Sequence, residues 1–217
     1  MVKSSTGLDD FTIVPENSGS AIPLDFHECG RVRVRPLKEG DREQFLDAAR
    51  SSASLTAPWS YVMCDDRDFW NILAQVELGL ETAFISVDRD DRGIAGKFTV
   101  YNVLRGSSQS AMLGYNAFLP YAGTGRTWEA LVLIVDTCFA AAPHGLELHR
   151  LEINCEPENA RSIALARRLG FRHEGRSPRF QLLNGRWRDC EKFALTAEEW
   201  VPLRCCRPVT SQDPDPR

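Results

Sequence analysis

The sequence has 217 residues, 43% of them hydrophobic and 26% charged, with a formal net charge of −4. That composition suits one globular domain with a full core and lacks the basic excess of a nucleic-acid-binding chain. No apolar run reaches the roughly 18–20 residues needed to cross a bilayer, and the first twenty positions lack the apolar stretch of a signal peptide, so the chain reads as cytoplasmic, with no membrane partner.

Residues 1–28 mix Ser, Gly, Pro and Asp without period and read as an N-terminal arm. RVRVRPL, Arg31 to Leu37, alternates basic and apolar residues and predicts a first strand stopped at Pro36. KEGDREQFLDAARSS predicts a helix that Asp41 can cap, with Phe45, Leu46 and Ala49 on one face. A second amphipathic helix in DDRDFWNILAQVELGLE sets Phe69, Ile72, Leu73 and Val76 at helical spacing. TAFISVDRDDRGIAGKFTVYNVL reads as two strands joined at Asp90–Gly93, and SAMLGYNAFLP as another, ended by Pro120. Next come a glycine loop, a long helix in TWEALVLIVDTCFAAA, a strand in HRLEINCEP and a helix in ENARSIALARRLG closed by Gly170. Asn184-Gly185 between β-rich runs predicts a type I′ hairpin, and residues 203–217 read as a flexible tail. The expectation is one mixed α/β domain over 29–202.

Seven cysteines without a signal peptide argue for free thiols. Cys205-Cys206 has no CxxC partner, and His27, His144, His149 and His173 show no paired spacing, so no metal is expected.

The stretch YAGTGRTWEAL places Gly123 and Gly125 where a helix must start. The first turn of a helix has N–H groups without intrahelical partners and carries the positive end of its dipole. Glycines let the backbone approach a phosphate and adopt positive φ. Gly123, Thr124, Gly125, Arg126 and Thr127 therefore form a candidate diphosphate seat; a plain glycine turn that starts a helix is the alternative. The loop is neither a P-loop nor a dinucleotide fingerprint, since no Gly-Lys-Ser/Thr and no third glycine follow.

LGYNAFLPYAGTGRTWEAL, INCEPENARSIALARRLGF and HEGRSPRFQLLNGRWRDCEKFALTAEEW, in that order and spacing, resemble the GNAT acyltransferase superfamily. They are closest to its RimJ/RimL branch, which acetylates N-termini of ribosomal proteins. The resemblance implies a mixed central sheet splayed between its fourth and fifth predicted strands, flanked by helices, with acetyl-CoA in the V-shaped gap. It places the pyrophosphate on 123–127 and the pantetheine arm against the backbone of Phe118 and Leu119, which would also donate to the thioester oxygen. Asn159 would hold the arm from the other side, and Ser162 would protonate the departing thiolate. Two positions depart from the family loop: Ala122 stands where a Gln or Arg is usual, and Thr127 where Gly or Ala is usual.

The resemblance gives no ready base, because its glutamate positions fall on Asn154 and Gln181, neither of which can take a proton, and its tyrosine acid falls on Ala166. Strand alternation sets Glu152, Asn154 and Glu156 on one face. Glu152 or Glu156 could take protons through water that Asn154 positions, or could be structural carboxylates. Trp59, Tyr61 and Tyr115 are candidate walls of the acceptor pocket, with Gln181 beside them, and each aromatic could equally be packing. Arg176, Arg179, Arg186 and Arg188 read as a solvated hairpin edge or an attractor of acidic substrates. The implied function is transfer of an acetyl group from acetyl-CoA to a primary amine, on a peptide or protein N-terminus or a small metabolite, with a homodimer as one assembly. The alternatives are a GNAT-fold enzyme with another acyl donor or reaction, and a non-catalytic coenzyme A-binding module.

Overall fold

The computed structural model describes residues 27–201 and 206–208. The arm expected over 1–28, most of the tail and the Cys205-Cys206 pair lie largely outside them. The described chain runs β1 (His27–Cys29), β2 (Val32–Pro36), a 3-10 turn (Glu39–Asp41), α1 (Arg42–Ser51), α2 (Ala53–Thr56), α3 (Asp66–Glu77), β3 (Glu81–Asp88), β4 (Ile94–Leu104), β5 (Ser110–Ala117), α4 (Arg126–Phe139), β6 (Arg150–Cys155), α5 (Ala160–Arg168), β7 (Arg172–Leu183), β8 (Arg186–Thr196) and β9 (Cys206–Pro208).

All nine strands lie in one sheet, ordered β7-β8-β6-β5-β4-β3-β2-β1-β9. Every neighbouring pair is antiparallel except β5 and β6, which are parallel. That pair is joined only at Ser110–Arg150, Ala111–Leu151 and Met112–Glu152. Beyond Met112 the two strands part, so the expected splay is present. Two strands go beyond the sequence expectation: β1 starts inside the predicted arm, and β9, inside the predicted tail, pairs with it in antiparallel register. The pairing satisfies a backbone edge that β1 would otherwise leave open.

Helices cover both faces. On one, α4 buries Ala130, Leu131, Val132, Leu133, Ile134 and Val135 against Phe98, Val100, Leu113, Leu151 and Ile153. On the other, Phe45 and Leu46 of α1 and Phe69 and Ile72 of α3 pack on Ala83, Ile85 and Phe118. Asp65 caps α3 through the N–H of Asp68 at 2.9 Å, a reciprocal capping box. Asp41 does not cap α1; its carboxylate instead accepts from the Lys38 N–H at 2.8 Å and from Arg35 at 2.6 Å, because a 3-10 turn precedes the helix and turns the side chain back. Asn184 and Gly185 have φ of 49° and 74°, as a type I′ turn demands.

One buried hydroxyl ties α1 to the strand end that borders the splay. Ser52 is fully buried; its Oγ donates to Ala48 O at 2.7 Å and accepts from the Leu119 N–H at 2.8 Å. Ser52→Ala strands that amide and is expected to cost about 1–3 kcal/mol. Thermal unfolding should then show Tm lowered by roughly 3–8 °C.

Candidate active site

The site is built where β5 and β6 separate above the head of α4. The Phe118 N–H donates to Ala95 O at 2.9 Å, in continuation of the β4–β5 ladder. Alternation of that ladder turns the backbone groups of Met112, Gly114 and Asn116 toward β4 as well. Those of Leu113, Tyr115 and Ala117 face the opposite way, and beyond Met112 no β6 residue pairs with them. The open edge therefore lies at 113–117. The expectation of Phe118 and Leu119 as free backbone partners does not survive: Phe118 N–H is taken by Ala95, Phe118 O accepts from the amides of Tyr121 and Ala122, and Leu119 N–H is taken by Ser52. The chain has already turned out of the strand at that point.

Gly125 is the N-cap of α4 with φ 93°, and Gly123 has φ 80°. Both values favour glycine because a Cβ there crowds the backbone. Among the described residues, no acceptor is bonded to the amides of Gly123, Gly125, Arg126, Thr127 or Trp128; the first N–H drawn into the helix is that of Glu129, on Gly125 O at 3.1 Å. A Cβ built on Gly123 meets no atom within 4 Å. A diphosphate fits such a cradle: open space, converging N–H groups and the positive end of a 14-residue helix.

The side chains around the cradle are arranged differently from the sequence expectation. Arg126 turns away, bonded to the buried carboxylate of Asp88 and stacked 5.3 Å from the Tyr121 ring centre. The Thr124 hydroxyl and N–H both donate to Tyr121 O, at 2.6 and 3.2 Å. Thr127 makes no side-chain hydrogen bond among the described residues. Arg31, unnoticed as a site residue in the sequence, lies over Gly125, with Nη2 on Thr124 O at 2.9 Å and on Glu129 Oε1 at 2.6 Å. Glu129 also accepts from the Arg31 N–H at 2.9 Å, so it straps the β1–β2 turn to the helix head. The cradle thus presents amides and a dipole rather than a free guanidinium. Nothing in the sequence signalled which arginine would turn inward, since Arg31 and Glu129 lie 98 residues apart.

On the α4 side of the splay, Tyr115 OH lies 2.7 Å from Ser162 Oγ, which lies 3.0 Å from Cys155 Sγ. Asn159 caps α5, its Oδ1 accepting from the Ser162 N–H at 3.1 Å. Burial pushes the Tyr115 hydroxyl well above its ordinary range and the Cys155 thiol up to about 11. Asn159 also borders a cavity of about 340 Å³ shared with Ser54, Trp59 and Arg161, which brings Trp59 to the mouth of the splay.

On the opposite face, Asn154 Nδ2 donates weakly to Met112 Sδ at 3.6 Å while Asn154 Oδ1 is buried without a partner. Glu156 has a side chain only 9% exposed, with Oε2 3.7 Å from Arg188 and Oε1 buried and unpartnered. Burial raises its carboxyl above the ordinary carboxylate value, with Arg188 acting weakly against it. Glu152 stands where the strands are still joined, bonded to Arg150 at 2.9 Å, and Arg150 also holds Glu174. Gln181 pairs in register with Arg188 and is exposed at the rim. Arg176 is tied to Asp189 at 2.8 Å. Tyr61 is 59% exposed and lines a second cavity with Met63, Glu81 and Lys97. Lys97, on β4 opposite Asn116, was not singled out in the sequence.

Among the described residues no three His, Cys, Asp or Glu side chains converge as metal ligands, and no helix is long and apolar enough to cross a membrane.

Comparison with known proteins gives the family. Residues 31–172 match the family model described as an acetyltransferase (GNAT) domain. The chain is 31% identical over 183 residues to the ribosomal protein uS5-alanine N-acetyltransferase of Escherichia coli, covering 80% of this chain and 92% of that protein. It is 28% identical to a probable N-acetyltransferase, YjcK, of Bacillus subtilis, over 76% of this chain and 93% of that one. Among solved structures, Mycobacterium smegmatis RimJ in complex with CoA-disulfide superposes with a TM-score of 0.70 at 29% identity, covering 81% of this chain and 89% of that one. The Vibrio fischeri ribosomal-protein-S5-alanine acetyltransferase shares the fold, with a TM-score of 0.69 at 23% identity over 82% and 99% of the two chains.

Proposed function

Because this chain belongs to the GNAT family of acetyltransferases, we propose that its acceptor is the α-amine at the N-terminus of a peptide or protein, attacked directly in a ternary complex with acetyl-CoA. Acetyl-CoA is the donor and an amine the acceptor at the level of the family. Support for an α-amine comes from the relatives named as alanine N-acetyltransferases of a ribosomal protein. The single observation that carries the site assignment is the set of unpartnered amides of Gly123, Gly125, Arg126, Thr127 and Trp128 beside a parallel strand pair that parts after three residues.

In this reading the amides of Gly123, Gly125, Arg126, Thr127 and Trp128 take the diphosphate, and Arg31 and Glu129 hold the loop in shape. The free main chain of Leu113, Tyr115 and Ala117 takes the pantetheine arm as an added strand, with Asn159 and Trp59 on its other side. The Ala117 N–H, which faces the gap, is the donor toward the thioester oxygen. Acetyl-CoA supplies an activated acyl group. An α-amine with pKa near 7.7–8.0 is already partly neutral at pH 7, so a weak base is enough. Glu156 fills that role, its unpartnered Oε1 and the Asn154 Oδ1 together holding the water through which the proton leaves. Ser162, backed by the Tyr115 hydroxyl, donates to the departing thiolate. A cytoplasmic location belongs to the same proposal, in keeping with a ribosomal-protein substrate.

Thiol release from acetyl-CoA in the presence of an Ala-initiated peptide tests the reading. Ser162→Ala is expected to lower kcat about 10- to 100-fold with little change in KM for acetyl-CoA. No peptide-dependent release by the wild type would overturn the proposal.

A further inference from the structure

Lys97 is a part-buried lysine on the β4 strand. It stands opposite Asn116 in the β4–β5 register, so the two side chains leave the same face of the sheet, the face that also carries Asn154 and Glu156. Among the described residues its ammonium lies within ion-pair distance of no carboxylate, and its one polar contact is the Met63 sulfur at 3.5 Å, a weak acceptor. A half-buried ammonium of this kind is ordinarily paired, because even partial desolvation without a partner is costly.

The same cavity, of about 250 Å³, holds a second charge that makes no hydrogen bond among the described residues, the Glu81 carboxylate. Burial pushes the Lys97 ammonium down and the Glu81 carboxyl up, and each feels the other only through space. The third charged lining group, Asp68, is already engaged: it accepts from the amides of Cys64 and Asp65 at 2.9 and 3.3 Å as part of the α3 cap. One wall is the exposed ring of Tyr61.

A donor and an acceptor that share a cavity without touching ask for a ligand group that is itself dipolar. A carboxylate would satisfy Lys97 and repel Glu81; an ammonium would do the reverse. A peptide unit offers a carbonyl and an N–H together, carries no net charge, and continues from an acceptor whose amine sits at the splay. We propose that Lys97 and Glu81 form a subsite for the main chain of the acceptor just beyond its reacting residue, with Lys97 donating to a peptide carbonyl and Glu81 accepting from a peptide N–H. This assignment rests on the peptide-acceptor reading above. It makes the enzyme selective for peptides over simple amines and tolerant of side chains at the position that is read.

The test compares kcat/KM for Ala-Ala-Ala-Ala-amide with two depsipeptides in which an ester replaces the first or the second amide, in wild type, Glu81→Met and Lys97→Met. In the wild type, one of the two ester substitutions is expected to lower kcat/KM about tenfold, as loss of a hydrogen bond to a charged group does. In Glu81→Met that ratio falls to near one. Lys97→Met loses about tenfold on the peptide, Lys97→Arg restores most of it, and the ester penalty persists in both. Wild-type rates that are equal for all three ligands, or an ester penalty undiminished in Glu81→Met, would overturn the subsite while leaving peptide acetylation standing. Absence of transfer to every peptide would instead refute the acceptor reading. Calorimetric titration of the same three ligands into the coenzyme A complex then decides the subsite separately, equal affinities being the refuting result.

Discussion

Glu156→Gln is expected to lower kcat for peptide acetylation by about 100- to 1,000-fold, the usual worth of a positioned proton acceptor. The substitution preserves shape and removes the carboxylate that, alone among the described residues, combines burial, an oxygen without a hydrogen bond and a place on the cleft face. Its pH dependence separates this role from a structural one. Burial raises the Glu156 carboxyl above 4.5, so the base is lost to protonation as pH falls through that raised value. Wild-type activity should therefore rise with pH through a limb above the ordinary carboxylate range. A second rise toward pH ~8 belongs to the acceptor amine and is common to wild type and variant, so the ratio of their rates isolates the Glu156 limb. The linkage to stability has the opposite sign. A carboxyl whose folded value is raised binds more protons in the folded state, so its contribution to stability declines as pH climbs from the unfolded value through the folded one. Glu156→Gln should leave Tm at pH 7 unchanged or higher while activity collapses. A large fall in Tm, or a retained acid limb, would rule out the assignment.

The two loop glycines are expected to respond differently to the same substitution. Gly123→Ala places its Cβ in open space but at φ 80°, and Gly125→Ala places it 3.0 Å from Arg31 Nη2 at φ 93°. Each change costs about 1 kcal/mol of backbone strain. At Gly123 the new methyl faces the space the diphosphate needs, so acetyl-CoA affinity should fall more than about tenfold, at 1.4 kcal/mol per decade. At Gly125 the methyl also pushes the guanidinium that holds Thr124 O and Glu129, so stability falls further, by about 2 kcal/mol in total with the strapping hydrogen bonds included. Calorimetry with acetyl-CoA and thermal unfolding read the two effects. Equal affinity losses with Gly123→Ala less stable than Gly125→Ala would contradict the geometry.

Helix and strand identities were legible in the chain because they rest on local periodicity. The α1 and α3 faces, the long helix after the glycine loop and the Asn184-Gly185 turn needed only a few neighbouring residues to specify. The glycine turn that opens α4 was legible for the same reason, since two glycines at a helix head fix their own backbone. The side chains at the same place were not. Arg126, beside the cradle in sequence, is drawn to Asp88, and Arg31, far upstream, lies over Gly125. Phe118 and Leu119 follow the strand in sequence, yet a partner strand and the Ser52 hydroxyl consume their amides.

By itself, then, the sequence determined most of the order of elements and the glycine loop before α4, because each follows from short-range backbone preferences. Tertiary structure alone decided which of two acidic candidates keeps a buried oxygen without a hydrogen bond, leaving Glu156 Oε1 free of partners and binding Glu152 to Arg150. It alone sank Lys97 into a cavity with Glu81. Pairing and desolvation depend on what distant segments bring within a few ångströms, and no local pattern encodes that distance.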